Sequence, residues 1–212
     1  SISFDSEQKL RFDNYGKNKF NVLFKMGSLL IKSRYRKKFI DIFFKRSIPK
    51  QNKFIYFPLI YEPGRILLMG NYFYTNQLDI IENIAKSLPV DYELFVKEAP
   101  GQEAQYWREI SFYKKILAMP NVKLIHPSVN HYEMIKNCSI VISIPDSYGL
   151  EAAFFAKPSI VFGRVDNSDL SSVHRINRLE DLSKIINSSL KEKVDLKDVN
   201  KFIDRLKDNS IE

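Results

Sequence analysis

Residues 142–163, ISIPDSYGLEAAFFAKPSIVFG, hold one complete strand–turn–helix–strand unit. The apolar run closing at Ile144 reads as a buried strand, and Pro145-Asp146-Ser147 supplies a polar turn. A helix is predicted over 149–156, with the small residues Ala152, Ala153 and Ala156 along it so that it can pack closely on a sheet. The β-rich run 159–162 then opens the next strand.

The same alternation extends in both directions. Strands are predicted at 54–58, 92–97, 122–126, 140–144 and 159–162, with a weaker one at 173–176. Most are continuous apolar runs, as expected of strands covered on both faces. Helical patterns fill 76–88, 107–119, 131–137 and 149–156, and two more at 179–190 and 196–207 close the chain. Right-handed crossovers then give an α/β fold, a Rossmann-like doubly wound parallel sheet of about six strands in the order 3-2-1-4-5-6 or a close variant. Ligands of such sheets bind beyond the carboxyl ends of the strands, which directs attention to the loops after Phe57, Val96, Ile125 and Ile144.

The 212 residues are 44% hydrophobic and 13% aromatic, enough to bury a sizeable core. The first fifteen residues have no apolar segment resembling a signal peptide, and no apolar run reaches the roughly 20 residues needed to cross a bilayer. The single cysteine, Cys138, has no internal partner, which fits a reducing, cytoplasmic setting. Neither GxGxxG nor GxxxxGK[ST] is present, so a dehydrogenase or a P-loop ATPase is disfavoured. His126, His131 and His174 stand at no ligand-like spacing to Cys138, and no metal site is expected.

The formal charge is +8, but it is not spread evenly. Residues 16–50 carry eleven Lys and Arg against one acid, Asp41, and the rest of the chain is nearly neutral. Within it, residues 17–47 mix Phe, Leu and Ile with those cations at spacings of one or two amphipathic helices, with Gly27-Ser28 as the interruption and Pro49 as the stop. The domain boundary is therefore placed at 50: a basic, mainly helical segment over 1–50, then the Rossmann-like domain over 51–212. The basic segment reads first as a linker to an acceptor-binding domain, next as an element for an anionic membrane surface, and last as a nucleic-acid contact. No zinc pattern, RNP motif or helix-turn-helix supports the last, and a solvated helix face is the plainer alternative to all three.

Two stretches carry candidate chemistry. At the turn after Ile144 a helix N-terminus offers free backbone N–H groups to a phosphate, Ser147 adds a hydroxyl, Gly149 permits close approach, and Glu151 can accept hydrogen bonds from ribose hydroxyls. The plainer reading makes Ser147 an N-cap and Glu151 a first-turn acid; the two are four apart, where a capping box needs three. The second stretch is Lys97-Glu98-Ala99-Pro100 at the end of a strand, which without a ligand reads as a solvated pair. His126-Pro127 ends the next strand and reads as structural.

Taken in order, Phe57-Pro58-Leu59-Ile60-Tyr61-Glu62-Pro63, Asn76-Gln77, Leu88-Pro89, Val96-Lys97-Glu98-Ala99-Pro100, Pro120-Asn121-Val122, Gly149-Leu150-Glu151-Ala152 and Lys157-Pro158 resemble the capsule polysaccharide biosynthesis family over about residues 53–164. That family includes the Kdo transferases of bacterial capsule export, with the two-domain GT-B fold, and the resemblance is to the C-terminal, nucleotide-binding half. It implies a nucleotide-sugar donor as substrate, typically CMP-Kdo, with no resident cofactor. It also implies a saccharide or lipid-linked acceptor and a location in the cytoplasm or peripherally at the inner membrane. By residue it implies Lys97 and Pro100 near the nucleotide, Ser147 and Gly149 at the phosphate, and Glu151 in the last motif; the catalytic residues are not identified. Where the family commonly reads PLHxxPE and KEHP, this chain has Ile60 and Ala99 in place of histidines and Gly64 in place of an acid. Losing an imidazole that acts as acid or base costs about 10²- to 10⁴-fold. The alternative expectation is accordingly a catalytically inactive glycosyltransferase-like module serving as a partner subunit or membrane adaptor.

Overall fold

The computed structural model describes residues 19–48, 53–60, 76–99, 101–105, 107–144, 147–163 and 170–209. Six parallel strands form one sheet: β1 (Phe54–Pro58), β2 (Glu93–Lys97), β3 (Val122–Ile125), β4 (Ile140–Ser143), β5 (Ser159–Phe162) and β6 (Val173–Ile176). Their spatial order is β3-β2-β1-β4-β5-β6, the doubly wound order expected from the alternation. The chain reverses direction across the sheet between β1 and β4, which pair through Ile55 with Ile140 and Tyr56 with Val141.

Helices cover both faces, which is why the strands are continuous apolar runs. Ile55, Phe57, Leu94, Val96, Ile140 and Ile142 face one layer with α2 (Gln77–Ser87), α3 (Ile110–Leu117) and α6 (Leu182–Ser189). Phe54, Tyr56, Phe95 and Val141 face the other, against Met134 and Ile135 of α4 (His131–Asn137) and Ala152 of α5 (Tyr148–Phe154). Ala153 and Val161 meet Val199 and Phe202 of α7 (Leu196–Asn209) in a third, smaller cluster. Ala152 and Ala153 of α5 are fully buried, as their size predicts, whereas Ala156 lies beyond the end of the helix and is exposed.

The basic segment differs from its expected form. One uninterrupted helix, α1 (Lys19–Phe43), runs through Gly27 and Ser28. A glycine weakens a helix by about 1 kcal/mol but leaves its backbone hydrogen bonds intact, and the Ser28 hydroxyl donates to the Lys25 carbonyl instead of breaking the ladder. Pro49 lies outside the described residues. The C-terminal part of α1 joins the core of the sheet: Ile40 and Phe44 are buried in the α2/α3 layer, and Phe44 meets Tyr113 edge to face at 5.1 Å. Arg36 donates to the Trp107 carbonyl at 3.0 Å and pairs with Glu109. Beyond the helix, the Lys45 N–H donates to Leu124 O at 2.9 Å and the His126 N–H to Lys45 O at 2.8 Å, one parallel bridge along the outer edge of β3.

Candidate functional site

Two polar clusters lie at the carboxyl ends of the strands. The first surrounds Glu98, one residue past β2. Its side chain is fully buried, and the Arg108 Nε approaches both carboxylate oxygens at 3.1 Å. The Tyr113 hydroxyl donates to Oε2 at 2.6 Å and the Ala99 N–H to Oε1 at 2.9 Å. Burial, with the Glu98 charge beside it, pushes the Tyr113 phenol well above its ordinary range. Arg108 also donates to the Ile60 carbonyl. Ile60 is held from a second side, because the Gln77 amide accepts from its N–H at 2.7 Å and donates to its carbonyl at 3.2 Å. Glu98 thus anchors the loop after β2 to the loop after β1. Lys97-Glu98 is not a solvated strand-end pair: Lys97 is 4% and Glu98 1% exposed.

The second cluster faces the α4/α5 layer beside the β1–β4 switch. From Tyr56 in β1 the hydroxyl reaches His131 Nδ1 at 3.0 Å, and His131 Nε2 meets Glu151 Oε2 at 2.8 Å. Ser147 Oγ donates to Glu151 Oε1 at 2.6 Å, and the Tyr148 ring lies 4.8 Å from the imidazole. Burial holds His131 below its ordinary value, Glu151 opposes that shift, and the nearby charge of Lys97 reinforces it. A neutral imidazole satisfies both contacts, with Nε2–H donating to Glu151 and Nδ1 accepting the Tyr56 proton. Lys97 is therefore close enough to this cluster to act on it electrostatically. It makes no hydrogen bond or ion pair with another described residue, and burial lowers its ammonium from the ordinary value, against the pull of Glu98 and then Glu103.

Lys97, Ser147 and Glu151 come together around His131, and Gly149 is buried in the first turn of α5. Pro100 and Gly64 lie outside the described residues. Ser147 is not a side-chain cap: its backbone is already helical, and its hydroxyl bonds Glu151 instead of a backbone N–H. Glu151 presents a carboxylate with both oxygens engaged, not an idle acceptor. Reading the sequence for metal ligands passed over His131, which joins Glu151 to Tyr56; its position at the first residue of a helix after a strand is the signal that marked it. Elsewhere, His126 bonds Asp41 of α1 at 3.0 Å and Ser128 at 2.6 Å, a structural tie between α1 and β3. Among the described residues no group of three or more His, Cys, Asp or Glu is placed to hold a metal ion.

Comparison with known proteins adds the following. A search of curated proteins finds no significant match to the chain. In fold it is similar to the Methanocaldococcus jannaschii UDP-GlcNAc 2-epimerase solved in complex with UDP-GlcNAc and UDP, at 15% identity and a TM-score of 0.51, covering 86% of this chain and 51% of that one. A second similar structure is Thermosulfurimonas dismutans KpsC, beta Kdo 2,7 transferase, at 15% identity and a TM-score of 0.49, covering 87% of this chain and 57% of that one. The chain spans little more than half the length of either. The model of the family described as capsule polysaccharide biosynthesis protein matches residues 8–166, a stretch that takes in β1 to β5 and both polar clusters. The chain belongs to the capsule polysaccharide biosynthesis protein family.

Proposed function

We propose that this chain is the nucleotide-sugar-binding half of a glycosyltransferase acting in capsule or other surface polysaccharide biosynthesis, on the cytoplasmic side. The observation that carries the reading is Lys97. A buried ammonium with no ion pair to a described residue, at the carboxyl edge of β2 and beside the switch point, is stabilised by an anion arriving in the crevice, such as the phosphate of a nucleotide. Family membership and the fold shared with an epimerase solved with UDP-GlcNAc support the same ligand class. Within the crevice Lys97 faces the phosphate, with the Ser147 hydroxyl and the first turn of α5 at Gly149 beside it. Glu151, fixed by His131, turns toward the ribose. By stabilising charge on the departing phosphate, Lys97 would assist loss of the leaving group. The donor we propose is CMP-Kdo and the acceptor a saccharide or lipid-linked saccharide.

Calorimetry against CMP, UDP and their sugars tests this. Binding is expected at millimolar concentration or better, weakened about ten-fold or more in Lys97→Met and in Glu151→Ala, since each removes a charge-assisted contact. Absence of binding by any nucleotide at millimolar concentration overturns the reading.

A second reading, that of an inactive module serving as a partner subunit, has its own observation. Ile60 and Ala99, at the positions where the resembling family carries histidines, are buried apolar residues that offer no side chain to a substrate. Sugar transfer from a CMP-sugar to an acceptor by the purified protein would exclude it.

A further inference from the structure

We infer that the outward face of α1 is a docking surface for an anionic lipid bilayer. The helix has two apolar faces. One, through Arg36, Ile40 and the chain beyond at Phe44, is buried against the sheet domain. The other is open: Phe20 and Phe24 are 80% and 82% exposed, and Leu23, Leu30, Ile31 and Tyr35 are more than half exposed. At about 100° per residue, Phe20, Phe24, Ile31 and Tyr35 fall within an arc of about 60°, with Leu23 and Leu30 along one margin. Over about 22 Å of helix they form a stripe pointing away from the buried face. An exposed aromatic and aliphatic row of this length marks a surface that meets something other than water.

Charge decides what that is. From Asn14 to Ile40 there is no acidic residue, while Lys and Arg occur eight times. Lys25 and Lys32 border the stripe on one side and Lys37 on the other, with Arg34 and Lys38 toward its C-terminal end, all exposed. Long basic side chains flanking an apolar stripe can place their methylenes along it and their charges at a phosphate layer. A second copy of this chain would bring two cationic helices, without an acid as far as Ile40, face to face, where like charges repel. A nucleic acid would neutralise the lysines but leave Phe20, Phe24 and Ile31 in water. An anionic bilayer accepts both features at once: rings and aliphatic chains below the headgroups, ammonium and guanidinium groups among them. No helix among the described residues is long and apolar enough to cross a membrane, so the contact is with one surface.

Flotation of the full chain with vesicles of equimolar phosphatidylcholine and phosphatidylglycerol tests the inference, with pure phosphatidylcholine vesicles as the comparison. The protein is expected to float with the anionic vesicles and to remain behind with the neutral ones. Phe24→Glu combined with Ile31→Glu is expected to abolish flotation. Each of Lys25→Gln and Lys32→Gln should weaken it about five-fold, and the loss should grow with salt. All four side chains are exposed, so circular dichroism and the melting temperature should be unchanged, which separates lost docking from lost folding. Absence of flotation with anionic vesicles, equal flotation with both, or a stable dimer in light scattering that the Phe24/Ile31 pair dissolves would each overturn the proposal. Nucleotide binding at the strand ends is measured separately by calorimetry, so either reading can fail alone.

Discussion

Glu98 shows what a sequence motif conceals at the level of single residues. In the linear chain it follows Lys97 at a strand end, and the pair reads as surface charge. Folded, it is a buried carboxylate accepting from Arg108, Tyr113 and its own neighbour's N–H. Removing one partner of a buried ion pair costs about 3–5 kcal/mol, so Glu98→Ala should lose that much stability in urea unfolding, while Tyr113→Phe, which deletes one hydrogen bond, should lose about 1–2 kcal/mol. His131 supplies a pH dependence. Its folded pKa lies below the ordinary value of 6.5, mainly through burial. As pH falls through 6.5 the unfolded chain takes up the proton first, so stability declines from there down to the folded value and is flat again below it. Unfolding measured across this window should show that slope in the native chain and a flatter profile in His131→Gln. The Ser147–Glu151 bond was not legible: at a spacing of four the two fit no capping box, and Ser147 read as an N-cap or a phosphate donor. Nor were the links of Glu151 to His131 and Tyr56, since these lie 20 and 95 residues from it in the sequence and meet only because α4 packs on the sheet face that carries Tyr56.

Among the elements, α5 ends in a way its composition does not announce. The Lys157 N–H donates to Ala152 O and the Ala156 N–H to Ala153 O, a Schellman closure that places Ala156 in the left-handed region at φ 54°. Glycine is at ease there and alanine is strained, so Ala156→Gly should raise stability by about 1 kcal/mol, read as an upward shift in melting temperature. Strand positions were legible to within a residue because strands covered on both faces are unbroken apolar runs bounded by turn residues. The continuity of α1 was not: Gly27-Ser28 carries a breaker's composition, yet the helix gains enough from docking Arg36, Ile40 and the following Phe44 that a weak site in its middle does not part it.

For the molecule as a whole, the order β3-β2-β1-β4-β5-β6 is one of the few doubly wound orders that alternation and crossover handedness allow, and it brings Lys97, Ser147 and Glu151 to the carboxyl ends of the strands around the β1–β4 switch. How the basic segment meets the sheet did not follow, because a lone backbone bridge has no sequence signature. That bridge, Lys45 between Leu124 and His126, has a dynamic meaning. Without it the outer edge of β3 would present unpaired amides to any passing strand. With it, fraying of α1 from its N-terminal end cannot extend past Lys45 without also opening the sheet's margin. In hydrogen exchange, the Lys45 and His126 amides should thus open as one cooperative unit with similar protection, while the amides near Phe24 exchange early and independently. Similar early exchange at all three positions would show that the clasp does not hold. The clasp sets a boundary in stability within a single helix, leaving its outer half free to move and its inner half committed to the sheet.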